Sequence, residues 1–379
     1  MCAVLKIGVF HPSLDLYGGA EVVAVVVANT LVENNHDVTL FVNNRINQKQ
    51  VEEMIGERVS PSIRAVINQP FLNPRGIFHL YESAIRSRVF KSKCDVLIDT
   101  YSCCVFPWID VSYIHFPYIN NYEFSPRFPY LKTPHLRQII AVPYVALEKN
   151  LENFDDKLIL TNSEFTAKAT RESLKTNSDV LYPPIPQTFY ADGVDAGKRR
   201  EDLVVTTARF GQGKGVELVP EIAGFTEKGI KFVMIGLAHD INVVEQVKRS
   251  VKRLELEDRV KIITNASRKE IKSYLAKAKI YLHTTKMEHF GISIAEAMAM
   301  GCLPVVHDSG GAPEFVPDRY RYKSTEEAAE IIKIAINGWS AKESDYMKHI
   351  AQRFSEDSFK KKFIESFSKY ITLWEKRRR

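Results

Sequence analysis

The chain has 379 residues, of which 45% are hydrophobic and 26% charged, with a net charge of +6 and a pI near 8.8. That length suggests two domains, each with its own core, and so small a basic surplus is well short of a nucleic-acid-binding composition. Its five cysteines (Cys2, Cys94, Cys103, Cys104 and Cys302) are odd in number and contain no Cys-x-x-Cys pair, which argues against a disulfide framework or zinc ribbon and for a reducing cytosol.

The opening, MCAVLKIGVFHP, lacks the basic start and long apolar stretch of a signal peptide, and no apolar run reaches the roughly 20 residues of a spanning helix. It reads instead as a buried strand, LKIGVF at 5–10. Gly18 and Gly19 follow, then VVAVVVANTLVENN at helical spacing and a second strand, HDVTLFV, at 36–42. This is a βαβ unit with a glycine turn before its helix. CDVLIDTYS, DVSYIHF and DDKLILTNS continue the strand pattern.

Prolines, glycines and charges at 181–202 (LYPPIPQTFYADGVDAGKRRED) mark a hinge. The pattern then restarts with DLVVTTARF, KFVMIG, RVKIIT, KIYLHTT and LPVVHDS, separated by helical segments, so a second parallel α/β layer is expected. The last segment, SFKKKFIESFSKYITLWEKRRR, is helical, with Phe363, Phe367, Tyr370, Ile371 and Trp374 on one stripe.

The stretch EHFGISIAEAMAMGCLPVVHDSGG at 288–311 carries the most chemistry. A helix beginning at Gly291 and stopped at Gly301 presents its N-terminus at the carboxyl end of a parallel sheet, where ligands bind in such folds. Free N–H groups and the positive end of the dipole suit a diphosphate there. Glu288 lies on the preceding loop and Glu296 about a turn inside the helix, so two carboxylates can accept hydrogen bonds from different hydroxyls of one ligand. Taken alone, they read as a helix-start charge and an exposed glutamate; the surrounding pattern reverses that reading.

In RFGQGK, Arg209 and Lys214 share a glycine-containing loop after a strand, an arrangement suited to a diphosphate or to a solvated basic turn. It is not a Walker loop, because Gly215 follows Lys214. Gly18 and Gly19 make a tight turn or a close backbone approach to ligand, and their spacing is not that of a dinucleotide fingerprint. His115 lies in a segment rich in aromatics (Trp108, Tyr113, Phe116, Tyr118, Tyr122, Phe124, Phe128, Tyr130) and cations (Arg127, Lys132, His135, Arg137), which fits a membrane interface, a polyprenyl diphosphate or a loop packed on itself. There is no Asp-x-Asp and no His/Cys cluster, so fixed protein charges rather than a metal are expected to act on a diphosphate.

With Glu288 and Glu296 as an E-x7-E pair, the chain resembles the family-4 retaining glycosyltransferases of GT-B fold, most of all the α-1,2-mannosyltransferase type that extends dolichol-linked oligosaccharides. The resemblance implies two Rossmann-like domains facing a central cleft. An acceptor-binding domain at 1–185, a linker at 186–202 and a nucleotide-sugar-binding domain at 203–350 are expected, with a C-terminal helix at 351–379 returning to the first domain. It implies a catalytic role for His115, Arg209, Lys214 and Glu288. It implies donor contacts from Gly18, Gly19, Arg209, Lys214, Glu288, His289, Phe290, Gly291, Ile292 and Glu296. The implied reaction is hexose transfer from a nucleotide-diphospho-sugar, GDP-mannose before a UDP-sugar, to a lipid-linked or other glycan acceptor. No metal, cofactor or nucleic acid is implied. The expected place is the cytoplasm, peripheral on the cytosolic face of a membrane. Rival readings are a UDP-sugar enzyme making a glycolipid or surface glycan, a nucleotide-sugar epimerase, a phosphorylase and a non-catalytic binding module.

Overall fold

A computed structural model describes residues 4–15, 18–67, 77–117, 154–190 and 200–378, with 77–81 described by backbone alone. The chain divides into two compact units, Met1–Pro184 with Glu356–Arg379, and Ile185–Ser355.

The first unit is built on a seven-stranded sheet. Its strands are β1 (Lys6–Phe10), β2 (Asp37–Val42), β3 (Arg64–Ile67), β4 (Val96–Asp99), β5 (Val111–Ile114), β6 (Leu158–Thr161) and β7 (Asp179–Val180). They run in the order β3-β2-β1-β4-β5-β6-β7, and every pairing is parallel. Helix α1 (Gly19–Glu33) is apolar nearly all round because it is covered all round, with Val22 through Ala28 buried. Helix α2 spans Gln48–Ile55, α3 Ile77–Lys91 and α4 Glu164–Leu174.

The second unit has a six-stranded sheet of the same kind. Strands β8 (Glu201–Thr207), β9 (Lys231–Gly236), β10 (Val260–Thr264), β11 (Ala278–His283), β12 (Leu303–His307) and β13 (Arg321–Tyr322) run in the order β10-β9-β8-β11-β12-β13, again all parallel. Between them lie α5 (Val219–Phe225), α6 (Ile241–Arg253), α7 (Arg268–Lys277) and α8 (Ile292–Ala299), and after them α9 (Thr325–Asn337) and α10 (Ala341–Ala351). Helix α10 packs on α8 inside this unit.

The last helix, α11 (Glu356–Arg378), belongs to the first unit. Phe359, Phe363, Phe367, Tyr370 and Ile371 enter the first core, with Trp374 partly buried against it. Lys360 Nζ pairs with Glu33 Oε1 on α1 at 2.8 Å. The crossing into this helix falls after Ser355, and the second unit starts at Ile185, whose N–H donates to Phe354 O at 2.8 Å. Residues 191–199, in the proline- and glycine-marked hinge, lie outside the described residues.

Edge strands β3, β7 and β13 escaped the sequence pattern. β7 and β13 have two residues each, and β3 (RAVI) is mostly exposed, so none carries an apolar run.

Candidate active site at the switch point of the second sheet

The strand order of the second sheet reverses between β8 and β11, and in open parallel sheets the crevice at such a reversal receives the ligand. The two loops that leave these strands at their carboxyl ends are those holding Lys214 and Glu288. They are tied together: the Thr284 and Thr285 hydroxyls donate to Lys214 O at 3.3 and 3.1 Å. Gly215 permits this approach. Its φ is +66°, and a Cβ there would stand 2.4 Å from Thr284 O.

Lys214 Nζ meets Glu288 Oε2 at 3.1 Å, and His283 Nε2, from the end of β11, lies 3.2 Å from the same oxygen. The other oxygen accepts from His289 N–H at 3.2 Å. Burial alone would raise the Glu288 carboxyl, but Lys214, His283 and His289 outweigh it and hold it well below the usual carboxylate range. The backbone of this loop is fixed from β12: Met287 N–H donates to Ser309 Oγ at 2.8 Å, His307 Nδ1 lies 2.8 Å from the same hydroxyl, and Gly311 N–H donates to Glu288 O at 2.7 Å.

Helix α8 starts at Ile292 with Gly291 as its N-cap and no side-chain cap on its first turn, leaving backbone donors for an anion. One turn in, Glu296 is buried and ion-paired with Arg268 Nη1 at 2.5 Å, the guanidinium resting over the Phe189 ring. Burial lifts the Glu296 carboxyl above its ordinary range, and Arg268 offsets this only in part.

Of the sequence-derived donor residues, Lys214, Glu288, His289, Gly291 and Ile292 thus lie around one strand-end crevice, with Glu296 held behind the helix start. Arg209 is exposed at the end of β8 on the loop that leads to Lys214. Phe290 faces elsewhere: its ring is buried against Phe315 and Phe354, both with centroids at 5.0 Å, so only its backbone borders the crevice. Gly18, Gly19 and His115 lie in the first unit, at the carboxyl ends of β1 and β5.

The aromatic segment divides. Tyr113 and Phe116 are core residues of the first unit, Tyr113 donating to Leu181 O at 2.7 Å and Phe116 stacking on Phe165. Neither is part of an interfacial face. Trp108 is half-buried and donates to Ser87 Oγ at 2.8 Å. Tyr118, Tyr122, Phe124, Arg127, Phe128, Tyr130, Lys132, His135 and Arg137 lie outside the described residues. Among the described residues no helix is long and apolar enough to cross a membrane.

His283 and Arg268, 5 and 28 residues from the glutamates they hold, were not among the residues expected from the sequence. His283 was visible as the polar end of an otherwise apolar strand. Arg268 directly follows the N-cap Ser267, so it too stands at a strand-to-helix turn on the carboxyl side of the sheet. Among the described residues no three His, Cys, Asp or Glu side chains gather as a metal ion needs. What gathers is a cation, helix N–H groups and two carboxylates, a set suited to a diphosphate and to hydroxyls.

Known proteins resemble the chain in sequence and in fold. Residues 195–365 match the family described as Glycosyl transferases group 1. A GDP-Man:Man(3)GlcNAc(2)-PP-Dol alpha-1,2-mannosyltransferase of Neurospora crassa is 28% identical over 51% of this chain and 39% of its own length. The protein of that name from Homo sapiens is 27% identical over 68% of this chain and 60% of its own. The chain therefore spans between about two fifths and three fifths of these relatives. Among solved structures, Anabaena HepE in complex with UDP and glucose superposes with a TM-score of 0.72 at 20% identity, covering 96% of this chain and 100% of that one. Residues 195–365 thus match the glycosyl transferases group 1 family, and the chain shares the fold of solved GT-B glycosyltransferases.

Proposed function

We propose that the chain is a retaining hexosyltransferase that moves mannose from GDP-mannose to a lipid-linked oligosaccharide. The observation that carries this reading is the Lys214–Glu288–His283 cluster beside the open start of α8, at the switch point of a group 1 glycosyltransferase domain. The names of the mannosyltransferase relatives supply the sugar, the base and the acceptor class.

In this reading the donor diphosphate lies on the α8 N-terminus with Lys214 and Arg209 beside it. As the bond to the sugar breaks, negative charge grows on the diphosphate, and these fixed donors and cations stabilise it more than they stabilise the intact donor. Glu288, kept ionised by its neighbours, accepts hydrogen bonds from sugar hydroxyls. Glu296 accepts from the ribose, with Arg268 holding its carboxylate in place. Within the first unit, the Gly18–Gly19 turn and His115 are assigned to ligand binding. No metal is assigned a step. We place the enzyme at the cytosolic face of a membrane, held peripherally.

The test is thermal unfolding with GDP, UDP or ADP. A ligand at 100 times its dissociation constant stabilises by about 2.7 kcal/mol. A rise with GDP supports the mannosyl reading, and Glu296→Ala then weakens that rise. A rise with UDP alone keeps the transferase and replaces the sugar nucleotide. No rise with any of the three refutes the site. Flotation with anionic vesicles tests the membrane assignment, and no association at low salt would overturn it.

A further inference from the structure

The switch point of the first sheet holds a buried polar chain that the proposed reaction has not used. Strands β1 and β4 pair in the register Phe10↔Asp99, so His11 and Thr100 are the next residues at their carboxyl ends. His11, Thr100 and Glu21 are all buried, the first two completely. Thr100 is fixed twice to β1: its N–H and its hydroxyl both donate to Phe10 O, at 3.2 and 3.3 Å. With its proton so placed, Thr100 Oγ1 accepts from His11 Nδ1 at 3.0 Å. His11 Nε2 is then the edge that faces Glu21 Oε1, 3.7 Å away. The other Glu21 oxygen accepts the Gly18 N–H at 2.7 Å. At the far end, Thr100 O can only accept, and His115 Nε2 lies 3.1 Å from it. One chain of contacts therefore runs from the glycine turn through Glu21, His11 and Thr100 to His115.

Helix capping explains only part of this. Glu21 is the third residue of α1, and a carboxylate there ordinarily serves the N-cap N–H from the surface. Here the residue is 3% exposed and its second oxygen is turned inward to His11. A buried polar pair, charged or not, adds little stability compared with an apolar pair of the same size, so stability does not account for it. Burial by itself would raise the Glu21 carboxyl, but His11 and the Gly18 and Glu21 N–H groups outweigh it and hold it below the ordinary range. The second sheet uses a similar tie, threonines at the end of β11 holding the loop that follows β8.

We propose that Glu21 and His11 are positioning residues for glycosyl transfer, joining the Gly18 turn and the His115 ring into one rigid element through Thr100. The proposal rests on the reading of the chain as a glycosyltransferase. His11 also faces the Tyr101 ring edge-on at 5.6 Å and feels the buried Asp99 carboxyl, so the pair is enclosed on each side by β1, β4 and α1.

The test is a double-mutant cycle on the full chain. GDP release is followed from GDP-mannose with Man(3)GlcNAc(2)-PP-Dol as acceptor. Glu21→Gln should lower kcat by up to about 100-fold, as a misplacement of about 1 Å does, with the donor KM little changed. His115→Ala should lower it comparably, and the double variant should be no slower than His115→Ala alone. Thr100→Val, which keeps shape and carbonyl but loses the hydroxyl link, should resemble Glu21→Gln, while Thr100→Ser should restore most of the rate. This pair keeps the test decisive if Glu21→Gln folds poorly. Losses that multiply in the double variant, or a lower Tm with unchanged kcat, overturn the proposal while leaving the transferase reading intact. A wild-type chain that releases no GDP from GDP-mannose and no UDP from UDP-sugars overturns both.

Discussion

Replacing Arg268 with methionine tests the reasoning about Glu296 directly. Methionine keeps much of the volume over Phe189 but removes the charge that faces a carboxylate whose side chain is 5% exposed, from a guanidinium 14% exposed. Breaking a buried pair in this way costs about 3–5 kcal/mol, because the remaining charge keeps its desolvation penalty and loses its partner. For a unit of this size that is a fall in Tm of about 6–20 °C. Trp339 lies in the second unit beside Arg200, whereas Trp108 and Trp374 lie in the first. In a Trp108→Phe/Trp374→Phe background, Trp339 fluorescence during guanidinium unfolding therefore reports the second unit. The pH dependence has a definite sign. Burial already lifts the Glu296 carboxyl above 4.5, and loss of Arg268 lifts it further. The folded state then binds the extra proton between the two values, so its stability falls as pH rises through that window. The deficit of Arg268→Met should be largest at neutral pH and shrink on acidification. Arg268→Met/Glu296→Leu should regain most of the loss. A cost below about 1 kcal/mol, the value of an exposed pair, or a double variant no better than the single, would refute the argument.

Other outcomes follow from the same geometry. Glu288 is held below its ordinary range, so it contributes stability above pH 4.5 that is lost as pH falls through the folded value; Lys214→Met should shrink this contribution, seen as an acid limb displaced in unfolding curves. Gly215→Ala, with φ at +66° and a Cβ 2.4 Å from Thr284 O, should cost at least about 1–3 kcal/mol in the second unit and abolish the rise in Tm produced by nucleoside diphosphate. Phe363→Ala removes a fully buried ring of α11 and should cost about 3–5 kcal/mol in the first unit, read by Trp108 fluorescence, with the Trp339 transition unmoved.

Local features were legible in the order of the amino acids. Buried parallel strands read as apolar runs, their helices as 3.6-residue stripes, and the loops carrying Lys214 and Glu288 as breaks at strand ends. Because a parallel α/β layer sets every such loop on one edge, the order of elements was enough to place the candidate site at the carboxyl ends of the second sheet. The E-x7-E spacing likewise survived folding, because a loop and the first turn of the next helix are near one another in any conformation.

The partners of these side chains come from the packing of distant segments. Glu296 owes its ionic environment to Arg268, 28 residues away, Glu288 to Lys214, 74 away, and His11 meets Thr100 across 89. No periodicity links such positions; only the order and register of the strands do. Burial was decided at the same level. Tyr113 and Phe116 are rich in surface-binding chemistry, but one lies on a central strand and the other directly after it, so both fill the core. The last helix shows an apolar stripe in sequence, but a stripe states only that something must cover it. The first core covers it here, because the chain returns to that unit after Ser355.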